Sequence, residues 1–330
     1  MSRRFTCSAV LTVFMLFCAV AGHAAPSERD ATLHTREELA GRAEEIREHY
    51  ATPELFDRGI LDVTKAPYNA DPSGRRDCTE AIQRAVRDAR DSRVITYFPA
   101  GTYKVSDTIV GKQGCVHPGG GGVRWRPDDY PCVLWGASGD ERAILKLANS
   151  ASGFGDPKNP ETVLFLTASK WRQPRNLQPN VSFNQMIIGL DVDLGVGNPG
   201  AIGIDHQAAQ GSMAMDVHVE ATGGFAGFRG CPGSGGGLFG ISVTGGRYGL
   251  YLGPGWELDM QSGAQPSPVV SDVTLHGQSE GSIYYTGRGP LTVVGADIDG
   301  AGIRLQGGGW APWNGALNLI DSVVRLSDGK

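Results

Sequence analysis

Apolar and polar positions alternate at strand spacing along the second half of the chain. From about residue 183, short alternating segments recur, and each ends at a turn or a glycine: IIGLDVDLG, MAMDVHVEA, LFGISVTGG, VVSDVTLHG, LTVVGADIDG and LNLIDSVVRL. Alternation with a period of two is typical of β-strands, because successive side chains point to opposite faces. The return of similar segments indicates a repeat in which each coil of the chain stacks on the one before it.

The repeat length predicts an all-β fold, a right-handed single-stranded parallel β-helix. Equivalent points fall at four valines that are 25, 26 and 30 residues apart: Val192, Val217, Val243 and Val273. Repeats of that order suit β-helix coils. The Leu-and-Asn pattern of a leucine-rich repeat and the aromatic signatures of a propeller blade are absent. We therefore expect one parallel β-helix over residues 94–326, with these valines stacked inward in a single file.

Two helices are predicted before the repeats. Residues 37–50 can form an amphipathic helix behind an N-cap at Thr35, with Glu38 completing a capping box. A second helix begins after a cap at Asp77, with Glu80 three residues on. Its apolar residues share one stripe: Ala81, Ile82, Ala85, Val86 and Ala89. Short strands are predicted at 94–98, 102–105, 134–136 and 143–147, and subsidiary strands at 200–205 and 247–253.

The first 24 residues have the composition of a secretory signal peptide. Two arginines precede an apolar run, and Gly22-His23-Ala24 supplies small residues at the two positions that a signal peptidase inspects. The run is too short for a membrane span. We expect a secreted or periplasmic protein, with a helical or linker segment at 25–58 and the β-helix at 59–330.

Charge and composition argue against several classes of partner. The chain has 30 Lys and Arg against 35 Asp and Glu, a formal net charge of -5, and its basic residues are scattered. Nucleic acid and anionic membranes are therefore not expected as partners, and a strongly acidic polymer such as pectate is not favoured. The 48 glycines suit many short strands joined by tight turns. We predict a monomer that needs no metal and no cofactor.

Removal of the signal peptide would leave four cysteines, which allow three disulfide pairings. They are Cys78, Cys115, Cys132 and Cys231, without the CxxC spacing of a zinc site. Cys115 and Cys132 flank a glycine-rich excursion, so a bridge that closes this loop is the favoured pairing. Isolated buried thiols are the alternative.

Carboxylates and one imidazole are predicted on the outer side of neighbouring coils. In residues 216–220 the two valines point inward, so Asp216, His218 and Glu220 point outward, as do Asp191 and Asp193 one coil earlier. A 25-residue coil would stack Asp191 near Asp216, and Asp193 near His218. The group could hold calcium or supply an acid/base pair, with Asp216, Glu220 and Asp193 as second-choice catalytic residues. A solvated ladder of charges is the alternative.

A loop after residues 247–253 carries candidate sugar-binding residues, Trp256, Glu257 and Asp259. A Trp beside carboxylates suits stacking on the apolar side of a pyranose ring. A core position for this Trp is equally consistent with the sequence. His206 is a further candidate for substrate binding.

The segments NADPSGRRDCTEAIQRAVRDA (69–89) and YFPAGTYKVSDTI (97–109) resemble the opening of the pectate-lyase-like superfamily, which includes rhamnogalacturonase and epimerase relatives. The resemblance implies that the helix after Asp77 covers the open end of the β-helix core. It does not choose a chemistry, because one fold hosts several activities.

The segments GAIGIDHQAAQGSMAMDVHVEA (200–221) and GSGGGLFGISVTGGRYGLYLG (233–253) resemble the first of two β-helices in glycoside hydrolases of family 55, the exo-acting β-1,3-glucanases. The resemblance implies an inverting hydrolysis in a cleft between two β-helices. Gln210, with Gln207 as second choice, and Ser234 would hold the attacking water. An acidic residue of the second β-helix would be the general acid.

Two departures from that family change the expected activity. Asp205-His206 stands before Gln207, where the family usually has a Trp. The sequence shows no second β-helix up to Lys330, so the general acid is expected to be missing and hydrolysis by this chain alone to be weak. We expect a carbohydrate-active protein that acts on a neutral polysaccharide such as a β-1,3-glucan. A polysaccharide lyase is the rival enzyme, although the outer carboxylates have no obvious basic partner. A glycan-binding or structural β-helix without turnover is the rival from another class.

Overall fold

The computed structural model describes residues 36–113, 130–170, 173–177, 179–252, 267–287, 289–305 and 314–326. Within them the helices are α1 (Arg36–His49), α2 (Pro53–Phe56) and α3 (Thr79–Ser92), with a short 3-10 helix at Pro179–Val181. The first twelve strands are β1 (Ile60–Asp62), β2 (Ser73–Asp77), β3 (Ile95–Phe98), β4 (Gly101–Val105), β5 (Ile109–Lys112), β6 (Val133–Gly136), β7 (Ala143–Leu147), β8 (Glu161–Thr167), β9 (Ser169–Lys170), β10 (Gln173–Leu177), β11 (Met186–Ile188) and β12 (Leu190–Asp193). The remaining strands are β13 (Ala201–His206), β14 (Met213–Glu220), β15 (Ala226–Arg229), β16 (Gly237–Thr244), β17 (Tyr248–Leu252), β18 (Val269–His276), β19 (Gly281–Tyr285), β20 (Gly289–Val294), β21 (Asp297–Gly300), β22 (Ile303–Leu305), β23 (Asn314–Ile320) and β24 (Val323–Leu326).

The strands form a parallel β-helix with three walls, which confirms the predicted fold class. The first wall contains β1, β3, β6, β11, the first halves of β14, β16 and β18, then β20 and β23. The second wall contains β2, β4, β7, β12, the second halves of β14, β16 and β18, then β21 and β24. The third wall contains β5, β8, β13, β15, β17, β19 and β22. Every pairing within the three walls is parallel, whereas β9 and β10 form a separate antiparallel pair.

A residue with a left-handed backbone separates the first wall from the second in each later coil. The series is Gly189, Asp216, Gly240, Asp272, Gly295 and Asp321, with φ between 48° and 66°. Glycine and, more rarely, aspartate adopt this conformation at modest cost. The residue turns the chain between the walls and interrupts the alternation, so side chains on its two sides follow separate files.

The predicted valine file is wrong in its register, although all four valines are buried. Two inward files exist: Val192, Val219, Val243 and Leu275 form one, and Val217, Ile241 and Val273 form the other. The step from Val192 to Val219 is 27 residues, and the next step is 24. Coil length varies because the turns between the walls differ in length, so an assumed first step of 25 selected the wrong valine.

The core is one continuous apolar cluster that α3 covers at the N-terminal end. Ile82, Ala85, Val86 and Ala89 of α3 belong to the same buried cluster as the inward side chains of the first coils. The N-cap of α3 is Cys78, one residue after the predicted Asp77, yet an Asp77 carboxylate oxygen accepts a hydrogen bond from the Thr79 amide at 2.9 Å. The predicted helix over 37–50 is confirmed as α1.

Two further predictions concern membranes and cysteines. No helix in the described parts of the chain is long and apolar enough to cross a membrane. Cys78 and Cys231 are buried thiols. Cys115 lies outside the described residues, and so do residues 1–24, so the Cys115–Cys132 bridge and the signal peptide remain predictions.

Candidate functional site

Gln210 and Ser234 lie at the same place in two consecutive coils. Each belongs to the turn that leads from the third wall into the first, and both are exposed. They are 24 residues apart, which equals the offset at which Met213 of β14 pairs with Gly237 of β16. Ser234 has a φ of 52°, a left-handed conformation that is uncommon for serine. The turns therefore place a carboxamide and a hydroxyl on neighbouring coils at the surface.

A group of buried polar side chains lies directly before the Gln210 turn, at the end of the third wall. Asp205 is fully buried and accepts hydrogen bonds from Arg229 Nε at 2.8 Å and from Gln207 Nε2 at 3.1 Å. Burial raises the pKa of Asp205, while the Arg229 guanidinium opposes that shift. Gln207, the second choice for water positioning, is itself buried and is held on Asp205.

His206 is fully buried beside this carboxylate, on the next residue of β13. Neither ring nitrogen makes a hydrogen bond of ordinary geometry within the described part of the chain. Burial lowers the pKa of His206 to about 3, and the nearby backbone of Gln185 opposes the shift only weakly. The imidazole is therefore neutral and shielded from solvent, and it does not reach a surface on which a polysaccharide could lie.

The predicted ladder of charges exists on the outer side of the second wall, which we call the charged face. Its members are Lys146, Asp191, Asp193, His218, Glu220, His276, Asp297, Asp299 and Arg325. The predicted neighbours are corrected by the register: Asp193 pairs with Glu220, and Asp191 stands beside His218. The backbone amide of His218 donates to Asp191 Oδ1 at 2.8 Å. The two-residue shift is the same one that separates the valine files.

Arg142 joins the charged face to the bend at Asp216. Its Nε and Nη2 donate to the two oxygens of Asp191 at 3.0 and 2.7 Å, and its Nη1 donates to Asp216 Oδ2 at 2.8 Å. Nη2 also donates to the backbone oxygen of Asp216 at 2.7 Å. The hydrogen bonds to both carboxylates raise the pKa of Arg142. Asp191 and Asp216 are thus brought together, as predicted, but by an arginine rather than by direct stacking.

The other predicted catalytic carboxylates also have partners. Lys146 Nζ lies 2.6 Å from Asp193 Oδ2, and Asp193 Oδ1 accepts from the Gly195 amide at 2.7 Å. Glu220 accepts from the Thr222 amide at 3.0 Å, one turn further along the chain. His218 Nδ1 lies 2.8 Å from Ser242 Oγ. These contacts order the coils and their turns, which is what a structural ladder requires.

The sequence analysis missed the basic partners of this ladder. The statement that the outer carboxylates lack one is wrong, because Arg142 and Lys146 supply it. Alternation in residues 143–147 would have placed Lys146 outward, one coil before Asp193. Arg142 could not be found in that way, since it precedes β7 and reaches across two coils. Trp256, Glu257 and Asp259 lie outside the described residues.

An open groove of about 540 Å³ lies at the opposite bend of the coil, where the second wall turns into the third. Turns of three consecutive coils line it, with the side chains of Thr222, Thr244, Arg247, His276 and Ser279. Arg247 also donates to Glu280, and its guanidinium lies over the Phe225 ring. Nearby, Tyr251 and Tyr284 stack with ring centres 5.1 Å apart. Because these rings cover each other's faces, they stabilise the wall rather than offer a platform to a sugar.

Within the described residues no cluster of three His, Cys, Asp or Glu side chains could hold a metal ion. The carboxylates of the charged face are occupied by arginine, lysine and backbone amides instead.

Solved structures similar to this chain include three that act on or display carbohydrate-related titles. The Dettilon tailspike protein is 12% identical with a TM-score of 0.37, and it covers 82% of this chain and 50% of its own. An iota-carrageenase complexed to iota-carrageenan fragments is 12% identical with a TM-score of 0.38, covering 74% of this chain and 56% of its own. The A-module of the Azotobacter vinelandii mannuronan C-5 epimerase AlgE6 is 14% identical with a TM-score of 0.27, covering 82% and 100%.

This chain thus spans only about half the length of the first two of these proteins. Likenesses at this distance do not assign an activity. No match is found among curated proteins.

The family comparison is more decisive. The sequence profile described as "Rhamnogalacturonase A/epimerase, pectate lyase-like" matches residues 63–304. That range begins just after β1 and ends within β22, so it takes in nearly the whole described β-helix. The chain therefore belongs to the pectate lyase-like rhamnogalacturonase A/epimerase family.

Proposed function

We propose that this chain is an exported carbohydrate-active protein that hydrolyses a neutral polysaccharide, such as a β-1,3-glucan, with inversion at the anomeric carbon. Gln210 and Ser234 position the attacking water. The observation that carries the proposal is their placement: both are exposed, and both occupy the same turn of consecutive coils, at the offset of the β14–β16 register. Family membership supports a carbohydrate substrate but does not select the reaction.

The two side chains suit a positioning role. A carboxamide oxygen and a hydroxyl oxygen both accept hydrogen bonds from water, so together they can fix the direction of its lone pair. Neither is a strong base, so the reaction also needs a proton donor for the leaving oxygen. Asp216 exposes 55% of its side chain and is the first candidate for that donor within the described residues.

The test is an assay of product and rate with the purified chain. Laminari-oligosaccharides are incubated with the protein, and the anomer released first is identified by NMR. We expect the α-anomer from a β-linked substrate, and a fall in kcat of about 10²-fold in Gln210→Ala and in Ser234→Ala with little change in binding. Ser150→Ala is the matched control, because Ser150 is exposed and has a similar φ of 49°.

Unchanged turnover in both variants would refute the positioning role. Release of the β-anomer first would refute inversion.

A glycan-binding β-helix without turnover is the second candidate. One observation favours it: the carboxylates of Asp191, Asp193 and Glu220 are each tied to a cation or a backbone amide. A lyase of the pectate-lyase type gains less support, since Arg142 and Lys146 are held in ion pairs and are poorly suited to accept a proton. Binding of laminari-oligosaccharides with no product from any glucan would favour the second candidate over hydrolysis.

A further inference from the structure

The outer side of the first wall is apolar along its whole middle section. Its outward side chains, which we call the apolar face, are Val133, Trp135, Met186, Ile188, Met213, Met215, Phe239, Val269 and Val294. The residues between them, such as Leu134, Ile187 and Ala214, are fully buried in the core. None of these nine outward residues is charged. The face therefore has a polarity opposite to that of the charged face on the next wall.

Several of these side chains remain open to solvent. Trp135 is 42% exposed and Met215 is 40% exposed. They belong to one file, in which Trp135, Ile188, Met215 and Phe239 are register partners on successive coils. Contiguous exposed apolar surface is uncommon on a monomer and usually marks a binding surface.

Phe239 shows how the face is built. A Cβ placed on Gly237 would lie 2.8 Å from Cζ of Phe239, so the phenyl ring leans back over the glycine and lies along the sheet. One side of the ring packs on the backbone and the other side faces outward. A larger residue at position 237 would push the ring up and remove this flat surface.

The face begins where the proposed site ends. Met213 follows Gln210 by three residues, and Phe239 follows Ser234 by five. A chain that lies on the apolar face therefore reaches the turns with Gln210 and Ser234 without leaving the surface. Trp135 and Phe239 are separated by three strand spacings, about 14 Å, which a few pyranose rings span.

We propose that the apolar face binds a neutral polysaccharide, with the flat sides of its pyranose rings stacked on Trp135, Phe239 and the methionines between them. The axial C–H groups of a pyranose present an apolar surface that matches an aromatic ring. Methionine adapts its shape to such a surface. An acidic glycan would find no cation on this face to pair with its carboxylates. The proposal takes its ligand class from the proposed function, but it concerns binding and not hydrolysis.

The experiment measures binding of the purified chain to an insoluble β-1,3-glucan by depletion from the supernatant. We expect Trp135→Ala and Phe239→Ala each to weaken binding about tenfold, the loss of one stacked ring. Val196→Ala is the matched control: Val196 is an apolar residue, 73% exposed, on a turn between the second and third walls. It should bind as the unaltered chain does. Binding should be unchanged in about 1 M salt, since no charge takes part.

Circular dichroism checks that the variants fold, and Met215→Ser on the same file offers a second change that leaves both rings in place. Equal binding by the unaltered chain, Trp135→Ala and Phe239→Ala would overturn the proposal, as would a strong loss of binding in salt. Dimers that dissociate in Trp135→Ala, from a chain that binds no glucan, would show that the face is a contact between copies.

Failure of hydrolysis is a separate outcome. A chain that binds glucan through Trp135 and Phe239 but releases no sugar contradicts the proposed function and leaves the binding proposal intact.

Discussion

The outward sides of two neighbouring walls differ in kind, although single strands build both. In β14, Met213 and Met215 lie on the apolar face, whereas His218 and Glu220 lie on the charged face. Asp216, with its left-handed backbone, stands between the two sets. The period of two is kept on each side of the bend, and only the class of the outward residue changes.

The difference separates a surface that is satisfied within the chain from one that is not. On the charged face, Asp191 and Asp193 have hydrogen-bonding partners in Arg142 and Lys146, so little binding capacity is left. On the apolar face, Trp135 and Met215 expose surface that only a ligand or a partner can cover. We therefore locate polysaccharide binding on the apolar face and assign stability to the charged face.

The largest expected effect comes from breaking the charged face at its centre. Arg142→Ala should lower the free energy of unfolding by about 3 kcal/mol, because it leaves the Asp191 carboxylate, 10% exposed, without its cation. The amide of His218 would be its remaining partner. Urea unfolding at neutral pH measures the change. A loss below about 1 kcal/mol would mean that this face is an ordinary solvated ladder, and the comparison of the two faces would fail.

Acid provides the next largest effect and distinguishes the interior from the charged face. An unfolded histidine titrates near pH 6.5, while burial lowers the pKa of His206 to about 3. Between these values the unfolded chain binds the extra proton, so stability falls as pH falls. From pH 7 to pH 5 this histidine should remove about 2 kcal/mol from the free energy of unfolding. Ordinary carboxylates have pKa values below pH 5 and contribute little over this range.

His206→Gln tests the assignment, because the readout is the difference between two pH values rather than the stability itself. The variant should lose about 2 kcal/mol less than the unaltered chain on going to pH 5. Burial raises the pKa of Asp205, which works in the opposite direction, but that carboxyl is present in both proteins. An NMR titration of the His206 ring is an independent check. Equal losses in both proteins would assign acid sensitivity elsewhere, with the charged face the first suspect.

The sequence predicted the elements of the fold better than their register. Alternation located β7 and β14 and identified which side of each strand is buried, because burial of one face imposes a period of two. It could not show that Val192 pairs with Val219 rather than with Val217, since that depends on the length of turns without any periodic signal. A shift of two residues keeps the inward face inward, so the error left no trace in the pattern.

The same limit explains the site. Gln210 and Ser234 were predicted from a resemblance between motifs, and their 24-residue separation equals the local coil length. The apolar face was written in the same alternating segments, but outward methionines and aromatics look like core residues in a sequence. Only the register shows that Trp135, Ile188, Met215 and Phe239 share one outer file. Arg142 was hidden because its contacts join residues 49 and 74 positions away.

The smallest expected effect sharpens the comparison within the charged face. Lys146 and Asp193 form an ion pair 2.6 Å long, but their side chains are 45% and 24% exposed. Exposed pairs contribute little because water screens them and two long side chains lose freedom. Lys146→Ala should therefore lower the free energy of unfolding by less than about 1 kcal/mol, and about 1 M salt should abolish the difference.

Asp193→Ala serves as the contrast, since Asp193 also accepts the Gly195 amide at 2.7 Å. Its removal should cost more than removal of Lys146, by about the 1 kcal/mol of a hydrogen bond that holds a turn, and salt should not abolish that part. Equal, fully salt-sensitive losses in the two variants would mean that the ion pair is the whole contribution of Asp193. If Lys146→Ala proved as costly as Arg142→Ala, burial would not be what ranks these pairs, and the stabilising role of the charged face would rest on charge alone.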